Sequence, residues 1–313
     1  MIVVTDVRFP AVLLLPIGAA ILSACAARPA GEEGVAGAAG TAASLENGQP
    51  LASTAGFSGP EAVRYDPEQD VYFVSNFNGR GMAADNNGFI SRLLPDGKIE
   101  QLQFIAGGAN GITLHAPRGM AIVGDTLWAA DVDAVRGFHR RSGAAVAIVD
   151  FTGRDVGFLN DIAVGPDGAL YVTDTGKNRI YRISAGAISV ALTDTTLGAP
   201  NGITWDGTNR HFIVVPYGGG HAIRSWRPEN LSLQEIGTSP GAEFDGVEVL
   251  SNGRVLVASQ KDSSLHLFAG GRGRPIIRTA GEPADIGVDT KRNRVAVPYI
   301  ALNRVDIWQL PRD

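Results

Sequence analysis

The chain holds a single cysteine, Cys25, in 313 residues, which leaves neither a disulfide framework nor a thiolate metal site. Long apolar runs are missing too. Ala11 to Leu22 is apolar but falls short of the roughly 20 residues that a membrane-spanning helix needs. Positive charge is not in surplus: 27 Lys and Arg face 32 Asp and Glu, the net charge is −5, and the basic residues are scattered. That distribution carries no electrostatic footprint for nucleic acid. Helix-period runs with capping residues are absent as well, which leaves an all-β chain. With 44% apolar residues it can still bury one substantial core.

What is present is one phrase, written six times after residue 58. A polar residue opens a short apolar strand, a turn follows, then a second strand ending in a small or acidic residue, then a third. The openings are Gly59-Pro60-Glu61, Ala116-Pro117-Arg118, Phe158-Leu159-Asn160, Ala199-Pro200-Asn201, Glu243-Phe244-Asp245 and Glu282-Pro283-Ala284-Asp285. Second strands align beneath them, for example Val71-Tyr72-Phe73-Val74 and Ala169-Leu170-Tyr171-Val172, and third strands follow in most repeats, as in Arg179-Ile180-Tyr181-Arg182-Ile183. Asp66-Pro67, Pro166-Asp167-Gly168, Asp206-Gly207 and Asn252-Gly253 supply the turn chemistry that hairpins need. Multi-strand repeats of about 40 to 50 residues are how a β-propeller is written. Six repeats predict six blades whose innermost strands start beside one channel. The sixth repeat is too short for four strands of about five to six residues each plus turns. Residues near Gln49 to Phe57 are therefore expected to supply its outer strand and remove an exposed edge.

The N-terminus reads as an address. The apolar run ends in Leu22-Ser23-Ala24-Cys25, a pattern that resembles a bacterial lipoprotein signal, in which cleavage leaves Cys25 as a lipid-bearing first residue. An ordinary secretory peptide with a coincidental cysteine is the alternative. The Ala- and Gly-rich stretch that follows has almost no large apolar residue and reads as a flexible tether. The expected organisation is a signal peptide over 1–24, a tether over 25–47 and a propeller over 48–313. With Ala26 after the cysteine and no Asp there, the expected location is the periplasmic face of the outer membrane.

Four stretches carry a family resemblance: Gly59-Pro60-Glu61-Ala62-Val63, Asn160-Asp161-Ile162-Ala163-Val164, Pro200-Asn201-Gly202-Ile203 and Phe244-Asp245-Gly246-Val247. In this order and spacing they resemble the signatures of the gluconolactonase and regucalcin (senescence marker protein) family. The resemblance spans residues 59 to about 260. It implies a six-bladed propeller that holds one divalent cation on its axis and hydrolyses sugar lactones or similar small esters. By motif, Glu61, Asn201 and Asp245 resemble the cation ligands, Asn160 the residue touching cation or substrate, and Asp245 also the general base.

The same residues make chemical sense unnamed. Two carboxylates and two amide carbonyls form an all-oxygen set, which suits Ca²⁺, Mg²⁺ or Mn²⁺ better than Zn²⁺. A cation there polarises a lactone carbonyl and acidifies water while a carboxylate takes the proton. Arg118 opens the second repeat in the same register and cannot ligate a cation. Two readings stay open for it: pairing with Glu61, Asp245 or Asp285 and filling the axis, or binding a substrate carboxylate or phosphate. Asp285 is likewise a further ligand or that arginine's partner. For Asn160, Asn201 and Asp245 taken singly, a turn role competes. Asp131 and Asp174 read as blade-packing or turn residues, Trp128, Trp226 and Trp308 as packing between blades, and His115 as a candidate second base.

Gly237-Thr238-Ser239-Pro240-Gly241 matches a nucleophile-elbow pattern but lacks the following helix, and Gly218-Gly219-Gly220 lacks the context of a phosphate loop. The alternative to a hydrolase is a non-catalytic propeller that binds a small molecule, envelope polymer or protein. It draws on the third repeat, Asp167 to Asp174 with Asn178-Arg179-Ile180, which resembles NHL-type interaction repeats. The segments 76–88 and 107–115 are expected to shape the channel mouth.

Overall fold

Hairpin turns of one kind recur where the inner strand of a repeat ends, and they set the spacing of everything else. Asp66 accepts hydrogen bonds from the backbone N–H groups of Glu68 and Gln69, Asp206 from those of Thr208 and Asn209, and Asp289 from those of Lys291 and Arg292. A short acceptor side chain thereby closes the turn on its own backbone. The computed structural model describes residues 49–311, all within the compact unit Ser44–Asp313. The segments read as a signal peptide and a tether, with Cys25 between them, lie outside the described residues.

The fold is all-β: 24 strands and two three-residue 3-10 helices, Thr175–Lys177 and Thr195–Leu197, make up the described secondary structure. No helix among the described residues is long and apolar enough to cross a membrane. Four sheets have four strands each, and a fifth has eight. Within the eight-stranded sheet, two antiparallel halves meet through one parallel pair, Thr238 with Arg272. Every other paired strand is antiparallel to its neighbour, as successive hairpins require.

The inner strands are Pro60–Asp66, Met120–Val123, Leu159–Val164, Pro200–Asp206, Phe244–Val249 and Gly287–Asp289. They stand side by side around an axis. Arg64 Nε donates to the Met120 carbonyl (2.8 Å), the Gly119 N–H to Asn160 (3.1 Å), and the Ile203 N–H to the Asp161 carboxylate (2.8 Å). Asp285 closes the circuit, its N–H donating to the Glu61 carbonyl (2.9 Å) and its own carbonyl accepting from Val63 (3.0 Å). The arrangement is propeller-like. Glycine is required at two points of closest approach: a Cβ on Gly202 would collide with the Asp245 carbonyl, and one on Gly246 with the Ile286 backbone nitrogen.

Ala52–Ala55 pairs antiparallel with Arg304–Gln309 and completes the last four-stranded sheet, so the strand near the start of the described chain covers the edge left near its end. Apolar side chains from successive sheets mesh between them. In one such layer Tyr171, Phe212 and Trp226 meet with ring centroids 4.4 to 5.7 Å apart, and Trp226 is fully buried. Trp308 and Trp128 pack in the corresponding layers elsewhere. All three tryptophans are packing residues.

Sequence reading missed Ala134–His139, the third strand of the second repeat, where Gly137 interrupts the apolar run. For the first five repeats it gave no outer strand, because segments such as Ala145–Asp150 are exposed at almost every position and lack alternation.

Candidate functional site

All six openings contribute to one cavity of about 560 Å³, the sixth only through Glu282 at its rim. Glu61, Arg118, Asn160, Asn201 and Asp245 line its floor, with Thr175 and Gln260 beside them and Phe77, Phe158, Tyr217 and Ile300 around its walls. All five floor residues are buried.

Asp285 does not share this tier. It lies one residue further along its strand, where it bridges Ala62 rather than Glu61, and Ala284 holds the equivalent position. A one-residue step in a strand reverses the side chain's direction. Asp285 and Asp161 therefore form a second acidic tier outside the cavity lining. Three residues past the floor positions, Arg64 spans the axis between Glu248, to which it is hydrogen-bonded, and Asp285 (3.9 Å). Beyond Arg64 a second cavity of about 560 Å³ opens along the same strands, beside Ala121, Ala163 and Thr204.

Arg118 forms no ion pair among the described residues. Its guanidinium lies 3.9 Å from the centroid of the Phe158 ring and donates to the carbonyls of Leu159 (3.3 Å) and Gly81. Of the two readings open for it, the ion-paired one describes Arg64 instead. Burial presses the Arg118 pKa down, while the Glu61 and Asp131 carboxylates oppose that shift.

The carboxylates are crowded. Burial, and then the charge of Asp161, push Asp245 up to about 8, opposed by the neighbouring Asn201 amide and the hydrogen bond from Gln260. Glu61 is raised well above its ordinary range by burial and then by Asp245, with Arg118 opposing, and Asp285 by burial and then Asp161. Arg64 is half-buried, and its lost hydration lowers its pKa, but Glu248, Asp285 and Asp161 outweigh that and hold it above its usual value. Two oxygens of the cavity floor, Glu61 Oε2 and Asp245 Oδ1, are buried with no hydrogen-bond partner. Asp245 Oδ2 accepts from Gln260 Nε2 (2.7 Å), and Asn160 Nδ2 donates to Thr175 Oγ1 (3.0 Å), which leaves the Asn160 amide oxygen for the cavity. Unpartnered buried carboxylate oxygens are costly. With two amide side chains beside them, they form a donor set that fits a hard divalent cation.

Other candidates fall away from the cavity. His115 Nδ1 accepts from the Asn86 N–H (2.9 Å), and His115 groups with Asp131 and Asp133 closely enough to hold a metal. The Arg136 guanidinium already occupies that group, donating to both carboxylates at 2.6 Å. Asp131 and Asp174 serve as acceptors for the loops entering their blades, Asp131 for His115 and Ala116, Asp174 for Gly157 and Phe158. Ser239 bonds His266 Nδ1 (2.6 Å), whose Nε2 meets Asp262 (2.9 Å), a serine-histidine-aspartate chain. Ser239 and His266 are fully enclosed against Gly273 and Gly241, where no substrate reaches them. Of the two mouth segments, 76–88 brings Phe77 and Gly81 to the cavity. The other braces it, Asn86 accepting from the Leu114 N–H (2.8 Å). Thr175, Tyr217 and Gln260 went unread because nothing in a strand-end residue announces which way it faces.

No protein-family model matches the chain, and no curated protein matches it. Solved structures do. A gluconolactonase from Xanthomonas campestris superposes with a TM-score of 0.66 at 18% identity, over 84% of this chain and 89% of that one. A virginiamycin B lyase from Staphylococcus aureus gives 0.59 at 15%, over 83% and 99%, and a luciferin-regenerating enzyme 0.59 at 12%, over 83% and 94%. At these identities the likeness is one of fold.

Proposed function

We propose that this chain is a hydrolase of a lactone or similar small ester, working in the cavity above Glu61 and Asp245 on a six-bladed propeller whose fourth and fifth blades share the eight-stranded sheet. The observation that carries this reading is the pair of buried, unpartnered carboxylate oxygens at the cavity floor. The fold likeness to a gluconolactonase supports it.

Glu61, Asn160, Asn201 and Asp245 would hold a divalent cation, with Ca²⁺, Mg²⁺ or Mn²⁺ favoured by oxygen ligands. When bound, it supplies polarisation of an acyl oxygen and a more acidic water. Asp245 takes the proton of the attacking water as the water oxygen bonds to the acyl carbon. The acyl C–O bond of the ring or ester then breaks, and the leaving alkoxide receives the proton from Asp245, giving a hydroxy acid or an acid and an alcohol. Without a cation, burial raises the Asp245 carboxyl to about 8; a cation beside it would lower that value and leave the carboxylate free to accept the proton. Arg118 is a fixed positive charge in the same cavity, held by Phe158 and two carbonyls, and binds the acyl oxygen or the product carboxylate.

From the sequence we further propose a lipid anchor on Cys25, a tether over 25–47 and a place on the periplasmic face of the outer membrane. Mass analysis of the mature N-terminus tests the anchor. The hydrolase reading is tested by lactone turnover with and without divalent cation, for the parent protein and Asp245→Ala. Cation-dependent turnover lost in the variant supports it. Tight ligand binding with no turnover points to the alternative, a non-catalytic binding propeller.

A further inference from the structure

The polar groups of the cavity are spent on one another. Tyr217 donates its hydroxyl to Gln260 Oε1 (3.1 Å), Gln260 donates to Asp245, Asn160 donates to Thr175, and Thr175 Oγ1 donates to the Pro200 carbonyl (2.7 Å). Arg118 gives its hydrogen bonds to backbone carbonyls. Exposed Glu282 at the rim is the exception. What remains uncommitted lies at the floor, on Glu61, Asp245, the Asn160 and Asn201 amides and the remaining N–H groups of Arg118, where the reacting group would sit.

Above that floor the walls are apolar. The Phe77 and Phe158 rings, the Tyr217 ring, Ile300 and Ala301 line them. Tyr217 is 37% exposed, and Met82, whose sulfur lies 3.5 Å from Arg118 Nη2, is 54% exposed, so the mouth shows water apolar surface that a ligand can cover. A cavity of about 560 Å³ holds on the order of 20 non-hydrogen atoms at the roughly 30 Å³ each water occupies in the liquid. This is more than a single small ring.

We propose that the ligand of this cavity carries an apolar body, an aryl or alkyl substituent on its lactone or ester group, and is not a polyhydroxylated sugar ring. The proposal takes its reaction from the hydrolase reading above, while its ligand class rests on the walls alone. Each hydroxyl of a sugar ring brought against Phe77, Phe158 or Ile300 gives up its water partners and gains none. Each methylene placed there is instead worth roughly fourfold in binding.

The test compares kcat/KM of the purified full chain with Mn²⁺ on δ-octalactone, δ-decalactone, dihydrocoumarin and glucono-δ-lactone. Calorimetric binding of 1-tetralone and myo-inositol, neither of which can be hydrolysed, runs beside it. The expected result is a rise of about fifteenfold from the octa- to the decalactone for two added methylenes. Both, with dihydrocoumarin, should exceed glucono-δ-lactone by at least tenfold, and tetralone should bind where inositol does not. Phe77→Ser and Ile300→Ser should each flatten the alkyl series while the melting temperature and Mn²⁺ affinity hold. If glucono-δ-lactone matches the alkyl lactones, the ligand class is wrong and the hydrolase stands. If no lactone reacts but tetralone still binds in preference to inositol, the ligand class stands and the hydrolase falls. Equal binding of the two, or preference for inositol, without turnover overturns both.

Discussion

Replacing Asp245 with asparagine is expected to make the metal-free protein more stable and the enzyme inactive. In the fold the Asp245 carboxyl is 3% exposed, and burial with Asp161 raises its pKa from 3.8 to about 8. A group raised on folding lends its full stability below the unfolded pKa and loses it as pH climbs through the folded one. At pH 7 the interval is about three units at 1.36 kcal/mol each, an upper bound of roughly 4 kcal/mol. Asparagine removes the titration and keeps an oxygen to accept from Gln260, so most of the cost disappears with the charge. Even a quarter of the bound, about 1 kcal/mol, raises Tm by roughly 2–4 °C in a domain of this size. The assay is thermal unfolding of chelator-treated parent and variant from pH 4 to pH 8. Their Tm difference should be near zero at pH 4 and grow with pH. On the cation-loaded proteins, loss of the proton acceptor should lower kcat/KM by about 10²–10⁴. A variant less stable than the parent at pH 8, or a Tm difference indifferent to pH, would refute the reasoning and mark Asp245 as a structural hydrogen-bond acceptor.

Cation binding should stabilise the protein more at pH 8 than at pH 5, because protons hold the raised Glu61 and Asp245 carboxyls at the lower pH; an equal Tm shift at both would place the cation elsewhere. Glu61→Gln should weaken Mn²⁺ binding by at least tenfold in calorimetry, and unchanged affinity removes Glu61 from the ligand set. Ser239→Ala should leave lactone kcat/KM intact while lowering stability by about 1–2 kcal/mol for the lost bond to His266, and a collapse of turnover would reinstate the enclosed serine. Deleting residues 49–57 should lower both Tm and the cooperativity of unfolding, since the strand Arg304–Gln309 loses its partner; an unchanged transition shows that the edge needs no cover.

The repeat was legible because turn chemistry and strand ends recur in register. Pro60, Pro200 and Phe244 open inner strands where the openings were read, and the outer strand supplied by Ala52–Ala55 follows from counting strands in the last repeat. The site was legible in part for the same reason: Glu61, Arg118, Asn160, Asn201 and Asp245 share a register and line one cavity. Asp285 was misplaced because Pro283-Ala284-Asp285 carries its acid one residue late, and a single step changes which way the side chain faces. The Arg64–Glu248 pair joins residues 184 apart in the chain, and no local pattern reveals which strands face each other across an axis. Phe77 and Phe158 sit outside the regular strands, so their contribution to the cavity walls depends on how the loops fold back.

Anomalous diffraction from crystals of the protein soaked in Mn²⁺ tests the central claim most directly. The account predicts one strong peak on the axis, within about 2.0–2.6 Å of oxygens from Glu61, Asn201, Asp245 and Asn160, the range that oxygen-ligated Mg²⁺ and Ca²⁺ span. A map with no peak there, or with its only peak between His115, Asp131 and Asp133, would contradict it.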